Sequence, residues 1–291
     1  MIDANRYGPW ALVAGASEGL GAAFARELAK AGINLIMIAR GESPLRQQAD
    51  AVRAASGVQV RALPLDLSRP DMLERIREVP EDLEVGLVVY NAALGTGPFL
   101  AAPLEDSLGA VRLNCLGQVS LAHHFGSRMV QRGRGGLVLV GSLAGNAGGA
   151  TTVVYGASKA FSQLFAEGLW SEWSPSGVDV LYVVVGAVNT PNRARQGLKD
   201  NPNMIVVEPE EVAREALDHI ASGPVLVPAH LAEGFHHFSS RSTPTVSSFR
   251  SSTVASSCTR SARNGISRAM RWRNFSMPAA FSVSAEPLAM T

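Results

Sequence analysis

Tyr155 and Lys159 stand four residues apart in a segment of helical period, residues 151–173. At that spacing two side chains leave one face of a helix, so a phenol and an ammonium group can reach the same ligand. A phenol with a pKa near 10 exchanges protons poorly at neutral pH. An ammonium ~4 Å away, at an effective dielectric constant of ~20, favours the phenolate by about 4 kcal/mol, or roughly three pKa units. The pair predicts a tyrosine acid/base that is activated by a lysine.

A glycine-rich segment could bind a phosphate group. Gly15, Gly19 and Gly21 follow an apolar run and lead directly into a helical pattern, residues 20–31, with Gly32 as its C-cap. Glycines let the backbone turn tightly and approach a pyrophosphate, which the N–H groups of the helix start can bind. This placement between strand and helix favours a dinucleotide site over an ordinary turn. The predicted contacts are Gly15, Ser17, Gly19, Leu20 and Gly21.

The end of the second predicted strand bears on the choice of coenzyme. A site that prefers NAD usually places a carboxylate there to accept from the ribose 2′-OH, whereas this chain has Ala39 and Arg40. Arginine offers a planar, permanently charged fork to a 2′-phosphate. We therefore predict NADP(H), with NAD(H) as the alternative. Glu18, inside the glycine-rich turn, repels an anion and opposes this preference.

Short β-branched runs alternate with helical segments up to about residue 238. Seven runs predict strands, at residues 11–15, 34–39, 58–66, 85–91, 136–142, 178–186 and 224–228. Their nearly continuous apolar character implies burial on both faces, as in a parallel sheet. Further helices are predicted at residues 105–131 and 210–221. The expected fold is α/β: a doubly wound, Rossmann-type parallel sheet of about seven strands with helices on both faces.

Several short motifs follow one another in a characteristic order. Asn91-Ala92-Ala93 follows the fourth strand, Asn114 lies in the next helix, Ser142 follows the fifth strand, and Tyr155-Gly-Ala-Ser-Lys159 comes next. With the glycine-rich turn, this set resembles the short-chain dehydrogenase/reductase family over about residues 8–230. The resemblance implies a catalytic set of Ser142, Tyr155, Lys159 and Asn114.

The resemblance also implies a role for each of these residues. Ser142 would orient the substrate oxygen while its charge changes, and Asn114 would hold a water that connects Lys159 to solvent. Lys159 would hydrogen-bond the nicotinamide ribose, and Tyr155 would be a cofactor contact as well. The further implied cofactor contacts are Asp66 and Leu67 beside the adenine, Asn91 and Ala92 beside the central sheet, and Gly186, Val188 and Thr190 at the nicotinamide carboxamide.

Three positions depart from the family pattern. Ala14, Ala93 and Val185 stand where the family commonly has Thr, Gly and Pro. The first two exchanges are between small residues and should preserve the fold. Val185 removes a rigid φ angle next to the nicotinamide segment, which bears on the geometry of that loop.

Composition excludes several other classes of protein. The formal net charge of +1 gives no overall field for nucleic acid. Two cysteines, Cys115 and Cys258, cannot build a disulfide framework or a four-thiolate metal site, which favours a reducing, cytoplasmic setting. Adjacent histidines at 123–124 and 236–237 point apart on a helix, so no metal is predicted. No membrane span or secretory signal is predicted.

The last 53 residues have a different composition from the rest of the chain. Residues 239–291 contain seven Arg and one acid, Glu286, for a net charge of +6, and hold 14 of the 28 Ser. We therefore divide the chain into a domain at 1–238 and a Ser/Arg-rich tail at 239–291 that is disordered or atypical. A shifted reading frame and a basic arm that binds RNA are two interpretations of the tail.

The family resemblance also implies a substrate lid at about residues 191–207 and a homodimer or homotetramer built on the two long helices. Arg193, Arg195 and Lys199 in the lid would meet an anionic substrate or form a solvated face. Leu94, Phe99 and Met204 suit an apolar carbonyl compound. Six apolar residues of these helices would pack either in the subunit interface or against the chain's own sheet. They are Ala122, Phe125, Met129, Phe161, Leu164 and Phe165.

The predicted function is that of an NADP(H)-dependent oxidoreductase that interconverts a carbonyl and an alcohol, with Tyr155 as the acid/base. A catalytically silent dinucleotide-binding scaffold is the alternative, and nucleic-acid binding through the tail is a third. The sequence names neither the natural substrate nor the physiological direction.

Overall fold

The fold is known from a computed structural model that describes residues 2–77, 83–195 and 204–231. A parallel sheet lies at its centre. In chain order its strands are β1 Trp10–Ala14, β2 Asn34–Ala39, β3 Val60–Pro64, β4 Val85–Tyr90, β5 Gly135–Val140 and β6 Val178–Val183, with β7 Ala187–Val188 and β8 Val206–Val207 paired separately, and β9 Val225–Leu226 as the seventh strand of the main sheet. All seven predicted strands are confirmed, with ends that differ by a few residues.

The strands lie side by side in the order β3-β2-β1-β4-β5-β6-β9. The order reverses between β1 and β4, and ligands of doubly wound sheets bind at such a point, outside the carboxyl ends of the strands. The predicted fold class is confirmed. Asn91, Ser142 and the glycine-rich turn follow β4, β5 and β1, so the topology brings them to one edge of the sheet.

Helices cover both faces. They are α1 Ala4–Tyr7, α2 Gly19–Lys30, α3 Glu42–Ser56, α4 Met72–Arg77, α5 Leu104–Val111, α6 Gln118–Arg132, α7 Val153–Trp173, α8 Pro191–Arg195 and α9 Pro209–Asp218. Phe24, Leu28 and Val212 fill the core on one face, and Leu121, Phe125 and Trp173 fill it on the other. Burial of the nearly continuous apolar strands between these layers is the main favourable contribution to folding.

Three predicted helices have shifted ends. The helix predicted at 151–173 begins at Val153, and the one at 210–221 is α9, which begins at Pro209. The first helix ends at Lys30, with Ala31 as its C-cap, so Gly32 is the residue after the cap. Its φ of +79° is the left-handed conformation that glycine adopts freely. No sequence pattern singled out α3.

The helix predicted at 105–131 is wrong in one respect. Between α5 and α6, Arg112–Gly117 form a π-helical turn, so the segment is one helix with an inserted bulge. A π-bulge rotates the side chains that follow it, and helical periodicity alone does not reveal it. Among the helices of the described ranges, none is both long and apolar enough to cross a membrane.

Several predictions fall outside the described residues. These are the tail at 239–291, the end of the domain at residue 238, His236, His237 and Cys258, and the middle of the lid with Lys199.

Candidate functional site

Ser142 begins the site at the carboxyl end of β5. Its side chain caps a short 3-10 turn, Leu143–Asn146, by accepting a hydrogen bond from the Ala144 N–H at 3.2 Å. The Leu143 N–H donates to the Val185 carbonyl at 2.9 Å. Because Val185 follows β6, the serine is fixed by the two neighbouring strands of the sheet.

Two glycines let this turn pack closely against α7. A Cβ atom on Gly145 would lie 2.9 Å from the carbonyl carbon of Lys159, and one on Gly156 would lie 2.8 Å from the Ala144 carbonyl oxygen. Side chains at these positions would force the turn and the helix apart. The close contact brings Ser142 next to the face of α7 that carries Tyr155 and Lys159.

Tyr155 lies largely out of solvent beside Ser142. Burial raises the pKa of its phenol, and the Ser142 hydroxyl, which can hydrogen-bond the phenolate, offsets part of that rise. Lys159 is not among the causes of this shift, whose direction is set by burial. The predicted stabilisation of the Tyr155 phenolate by Lys159 stays a prediction. A raised pKa favours the protonated form of the tyrosine at neutral pH.

Lys159 is the one buried lysine among the described residues, with 5% relative exposure. Its ammonium lies 5.6 Å from the centre of the Tyr155 ring and donates a hydrogen bond to the Val140 carbonyl at 2.7 Å. Burial lowers its pKa from 10.5 to about 8. An ammonium group has three N–H donors, and Val140 is the one acceptor that the described residues supply to it. The remaining donors fit the predicted contact with ribose hydroxyls.

Asn114 lies in the π-helical turn and is buried against α7. Its side chain accepts from the Leu94 N–H at 2.8 Å and donates to the Leu94 carbonyl and to the Ser158 hydroxyl, both at 2.9 Å. Asn114 therefore joins the loop after β4 to the residue that precedes Lys159. Its predicted role in holding a water stays a prediction.

The glycine-rich turn has the geometry of a phosphate cradle. Gly15 and Gly19 have φ angles of +82° and +55°, and a Cβ atom on Gly21 would lie 2.0 Å from the Gly15 carbonyl oxygen. No side chain caps the start of α2, so its N–H groups are left for a ligand. The Asn91 amide donates to the Gly15 carbonyl at 3.1 Å and holds the turn to β4, where Ala92 contacts Gly15. These features fit a dinucleotide pyrophosphate.

The segment after β6 crosses over this turn. Val188 is buried in β7, and Gly186 packs against Leu143, next to Ser142. Thr190 lies against Gly19, since a Cβ atom there would be 3.1 Å from the threonine methyl carbon. The predicted nicotinamide and pyrophosphate segments are therefore neighbours.

Two charged residues that were expected to face an anion, Glu18 and Arg195, contact each other instead. Arg195, within the predicted lid, forms a two-pronged ion pair with Glu18 of the glycine-rich turn. The arginine is thus engaged with the chain's own carboxylate, and the repulsion that Glu18 was expected to exert on an anion is reduced. A salt bridge also ties Arg26 of α2 to Glu210 of α9 at 2.5 Å.

The residues predicted for the adenosine end lie at the carboxyl ends of β2 and β3. Arg40 is exposed, and no ion pair within the described ranges engages it. Asp66 accepts hydrogen bonds from the Ser68 N–H at 2.9 Å and the Ser68 hydroxyl at 2.7 Å, which shapes the turn after β3. Leu67 is buried at 4% exposure. Ser17 and Leu20 lie in and just after the glycine-rich turn, as expected.

Some residues of the site had no signal in the sequence. Ser158 and Gln118 form a buried polar chain with Asn114 and Ser162, and Tyr182 bonds to Ser142 and Lys159. Ser158 and Tyr182 lie at positions that helix and strand periodicity assigns to the core. No cluster of three metal-ligating side chains occurs in the part of the chain that the structure describes.

Comparisons with known proteins agree with this geometry. The family model for short chain dehydrogenases matches residues 9–201. A 7beta-hydroxysteroid dehydrogenase of Clostridium sardiniense is 32% identical over 219 residues, which are 74% of this chain and 84% of that protein. A structure that concerns 7beta-hydroxysteroid dehydrogenase stereoselectivity superposes with a TM-score of 0.77 at 27% identity, over 84% of this chain and 96% of the other. A short-chain dehydrogenase from Sphingobium yanoikuyae in complex with NADPH superposes with a TM-score of 0.72 at 32% identity, over 85% and 99% of the two chains.

Proposed function

The chain belongs to the short-chain dehydrogenase family, and from that premise we propose that it interconverts an apolar ketone and its secondary alcohol with NADP(H), using Tyr155 as the acid/base. The family makes it an oxidoreductase that acts on a CH–OH or C=O group with NAD(P). The coenzyme preference, the substrate class and the residue roles are the proposal.

The observation that carries the proposal is the meeting of Ser142, Tyr155 and Lys159. The Ser142 hydroxyl and the Tyr155 phenol are neighbours, and the Lys159 ammonium lies 5.6 Å from the tyrosine ring. Both hydroxyl groups can donate to one carbonyl oxygen, which polarises the carbonyl and stabilises the negative charge that develops on the oxygen.

Proton transfer belongs to Tyr155. When bound, the reduced coenzyme supplies the hydride that the carbonyl carbon accepts. Tyr155 gives its proton to the carbonyl oxygen as that charge develops, and the nearby Lys159 ammonium stabilises the resulting phenolate. Ser142 holds the carbonyl oxygen in place while the carbon accepts the hydride and the oxygen accepts the proton. In the reverse direction the phenolate removes the proton of the alcohol.

NADP(H) is favoured over NAD(H) by the exposed guanidinium of Arg40 and by the absence of a carboxylate at Ala39. The NADPH complex of the Sphingobium yanoikuyae relative supports the same preference. Ion pairing of Glu18 with Arg195 weakens the one nearby feature that opposes it.

An apolar substrate is favoured by exposed apolar side chains in and outside the predicted lid. Phe99, Met204 and Ile205 are 48%, 43% and 59% exposed, which leaves apolar surface for a ligand to cover. The 7beta-hydroxysteroid dehydrogenase relative acts, by its name, on a hydroxysteroid. We also propose a homo-oligomer and, on the unbridged thiol of Cys115, a cytoplasmic location.

The proposal is tested with a panel of bulky ketones, by the loss of NADPH absorbance. Tyr155→Phe is expected to lower kcat by about 10²- to 10⁴-fold, because the proton donor is lost. NADPH affinity should stay within about twofold, because most of that affinity rests on the other cofactor contacts. Tyr7→Phe is the matched control, since Tyr7 bonds to Asp179 at the opposite end of the sheet.

Unchanged turnover in Tyr155→Phe would contradict the assigned role. NADPH binding without turnover of any ketone, or of any alcohol with NADP⁺, would favour the catalytically silent alternative.

A further inference from the structure

Tyr182 is a completely buried aromatic residue on β6. It is among the largest side chains with no exposure to solvent, and it pairs in register with Leu139 of β5. Its ring packs in the apolar core under α7. Unlike the core residues around it, it ends in a hydroxyl group that reaches the two elements of the site.

That hydroxyl makes two hydrogen bonds. The Ser142 N–H donates to the Tyr182 oxygen at 3.2 Å, and the Tyr182 O–H donates to the Lys159 carbonyl at 3.2 Å. Ser142 lies at the end of β5, whereas Lys159 lies on α7. One oxygen atom therefore holds the backbone of the serine at a fixed distance from the helical turn that carries the lysine.

Gly141 makes room for this arrangement. A Cβ atom on Gly141 would lie 2.1 Å from Cζ of Tyr182 and 2.4 Å from its hydroxyl oxygen. Any side chain at position 141 would displace either the tyrosine ring or the strand that ends at Ser142. The tyrosine and the glycine are thus complementary in shape, and the pair leaves the ring little freedom to move.

The hydroxyl keeps its proton over the working pH range. Burial raises the pKa of Tyr182 to about 12. The group can therefore donate to Lys159 and accept from Ser142 at the same time, at neutral and at mildly alkaline pH.

We propose that Tyr182 is a positioning residue for the reaction: through its two backbone hydrogen bonds it sets the separation of Ser142 from the Tyr155–Lys159 face of α7. Tyr182 does not meet the substrate. It acts through Ser142, which holds the substrate oxygen, and through Lys159, which stabilises the Tyr155 phenolate. The inference rests on the proposed function, because it assigns Tyr182 a purpose only if those three residues react.

Tyr182→Phe tests the inference, because it removes the hydroxyl and keeps the ring that fills the core. In the NADPH-linked ketone assay, kcat is expected to fall by about tenfold to a hundredfold. A small misplacement of the reacting groups lowers the rate by this much. The KM for the ketone should change less than kcat. The apparent pKa in the pH profile of kcat/KM should rise, because a displaced Lys159 stabilises the phenolate less.

Tyr7→Phe is again the control. It too removes a hydroxyl group that is hydrogen-bonded to a residue of β6, but that residue, Asp179, is far from the site. It should keep wild-type kcat and pH profile. Equal kcat and pH profiles in Tyr182→Phe and wild type, with both Phe variants melting at similar temperatures, would overturn the inference and leave Tyr182 a purely structural residue.

A second variant keeps the test decisive if Tyr182→Phe does not fold. Para-aminophenylalanine at position 182 retains the donor to the Lys159 carbonyl and weakens the acceptor for the Ser142 N–H. Its kcat is expected to lie between the kcat of wild type and that of Tyr182→Phe. If Tyr182→Phe does not fold, the kcat of this second variant should still be below that of wild type. A wild-type kcat in this variant would overturn the inference. Failure of the proposed function has a different signature, which is full activity in Tyr155→Phe.

Discussion

Lys159 is charged at neutral pH although it is buried. Its pKa is lowered to about 8 because desolvation disfavours the ammonium form. At pH 7 the folded chain still holds the proton, so the cost of burying the charge is present in full. A residue that destabilises the fold in this way is typical of a functional site, where stability is exchanged for chemistry.

Lys159→Met is expected to stabilise the protein and abolish turnover. Between pH 8 and 10.5 the unfolded wild-type chain binds more protons than the folded one, so the wild-type free energy of unfolding rises with pH across that window. The variant should therefore be more stable by up to about 3 kcal/mol at pH 7, from the shift to about 8, and the gain should vanish near pH 10.5.

Urea unfolding of both proteins at pH 7 and pH 10 checks this expectation. Lys30→Met, at an exposed lysine of α2, is the control and should change stability by no more than about 0.5 kcal/mol at either pH. A Lys159→Met variant that is less stable than wild type at pH 7 would show that the ammonium contributes more through its bonds than its burial costs.

Arg40 decides the coenzyme preference if the proposal is right. Arg40→Ala is expected to raise the KM for NADPH by about tenfold or more, because one charge-assisted interaction with the 2′-phosphate is lost. The KM for NADH should change little, since NADH lacks that phosphate. Steady-state kinetics with both coenzymes measures the ratio, and an equal change for the two would assign Arg40 to a general role in folding or binding.

Among the elements, the 3-10 turn after Ser142 and the helix α7 depend on each other. Gly145 and Gly156 allow the backbones of the turn and the helix to touch. The Tyr182 hydroxyl hydrogen-bonds to both, at Ser142 and at Lys159. The π-helical turn places Asn114 against the same helix from the other side. Ser142, Lys159 and Asn114 are thus each held by a neighbouring element as well as by their own, which limits their motion.

Two glycines of α7 offer a matched pair of substitutions. Gly156→Ala should lower stability by about 1–3 kcal/mol and reduce kcat, because its Cβ would lie 2.8 Å from the Ala144 oxygen and push the turn away. Gly168→Ala meets nothing within 4 Å, so it should stabilise the helix by roughly 0.5–1 kcal/mol without a change in kcat.

Thermal melts and ketone kinetics on both variants test the packing argument. Full activity in Gly156→Ala would mean that the turn moves without disturbing Ser142.

For the molecule as a whole, the outer faces of α5, of the π-helical turn that follows it and of α7 carry apolar side chains that the sheet does not cover. Leu104, Leu116 and Leu164 are 70%, 58% and 70% exposed. Ala122, Phe125 and Met129, by contrast, are buried against the chain's own sheet, which is one of the two alternatives that the sequence left open for them. If these helices form an interface, it uses the exposed leucines and Phe161, which is 39% exposed.

Leu164→Lys is expected to shift the proposed oligomer toward monomer, because a charge would be buried at the centre of an apolar contact. Sedimentation velocity at several concentrations measures the change. Gln131→Lys, near the end of α6, is the control. An unchanged assembly in Leu164→Lys would place the interface on another surface, and a monomeric wild type would remove the proposal.

The sequence by itself determined the fold class, the seven strands of the main sheet, and the residues at their carboxyl ends. Those features are local: strands of a parallel sheet are apolar throughout, glycines mark the turn, and Tyr155 and Lys159 share a helix face whatever surrounds them. The tertiary structure alone decided the rest. Burial raises the pKa of Tyr155, a π-bulge orients Asn114, and Tyr182 reaches Ser142 and Lys159 only because β6 lies under α7. Desolvation and hydrogen bonding depend on which segments meet in space, and strand or helix period carries no record of that.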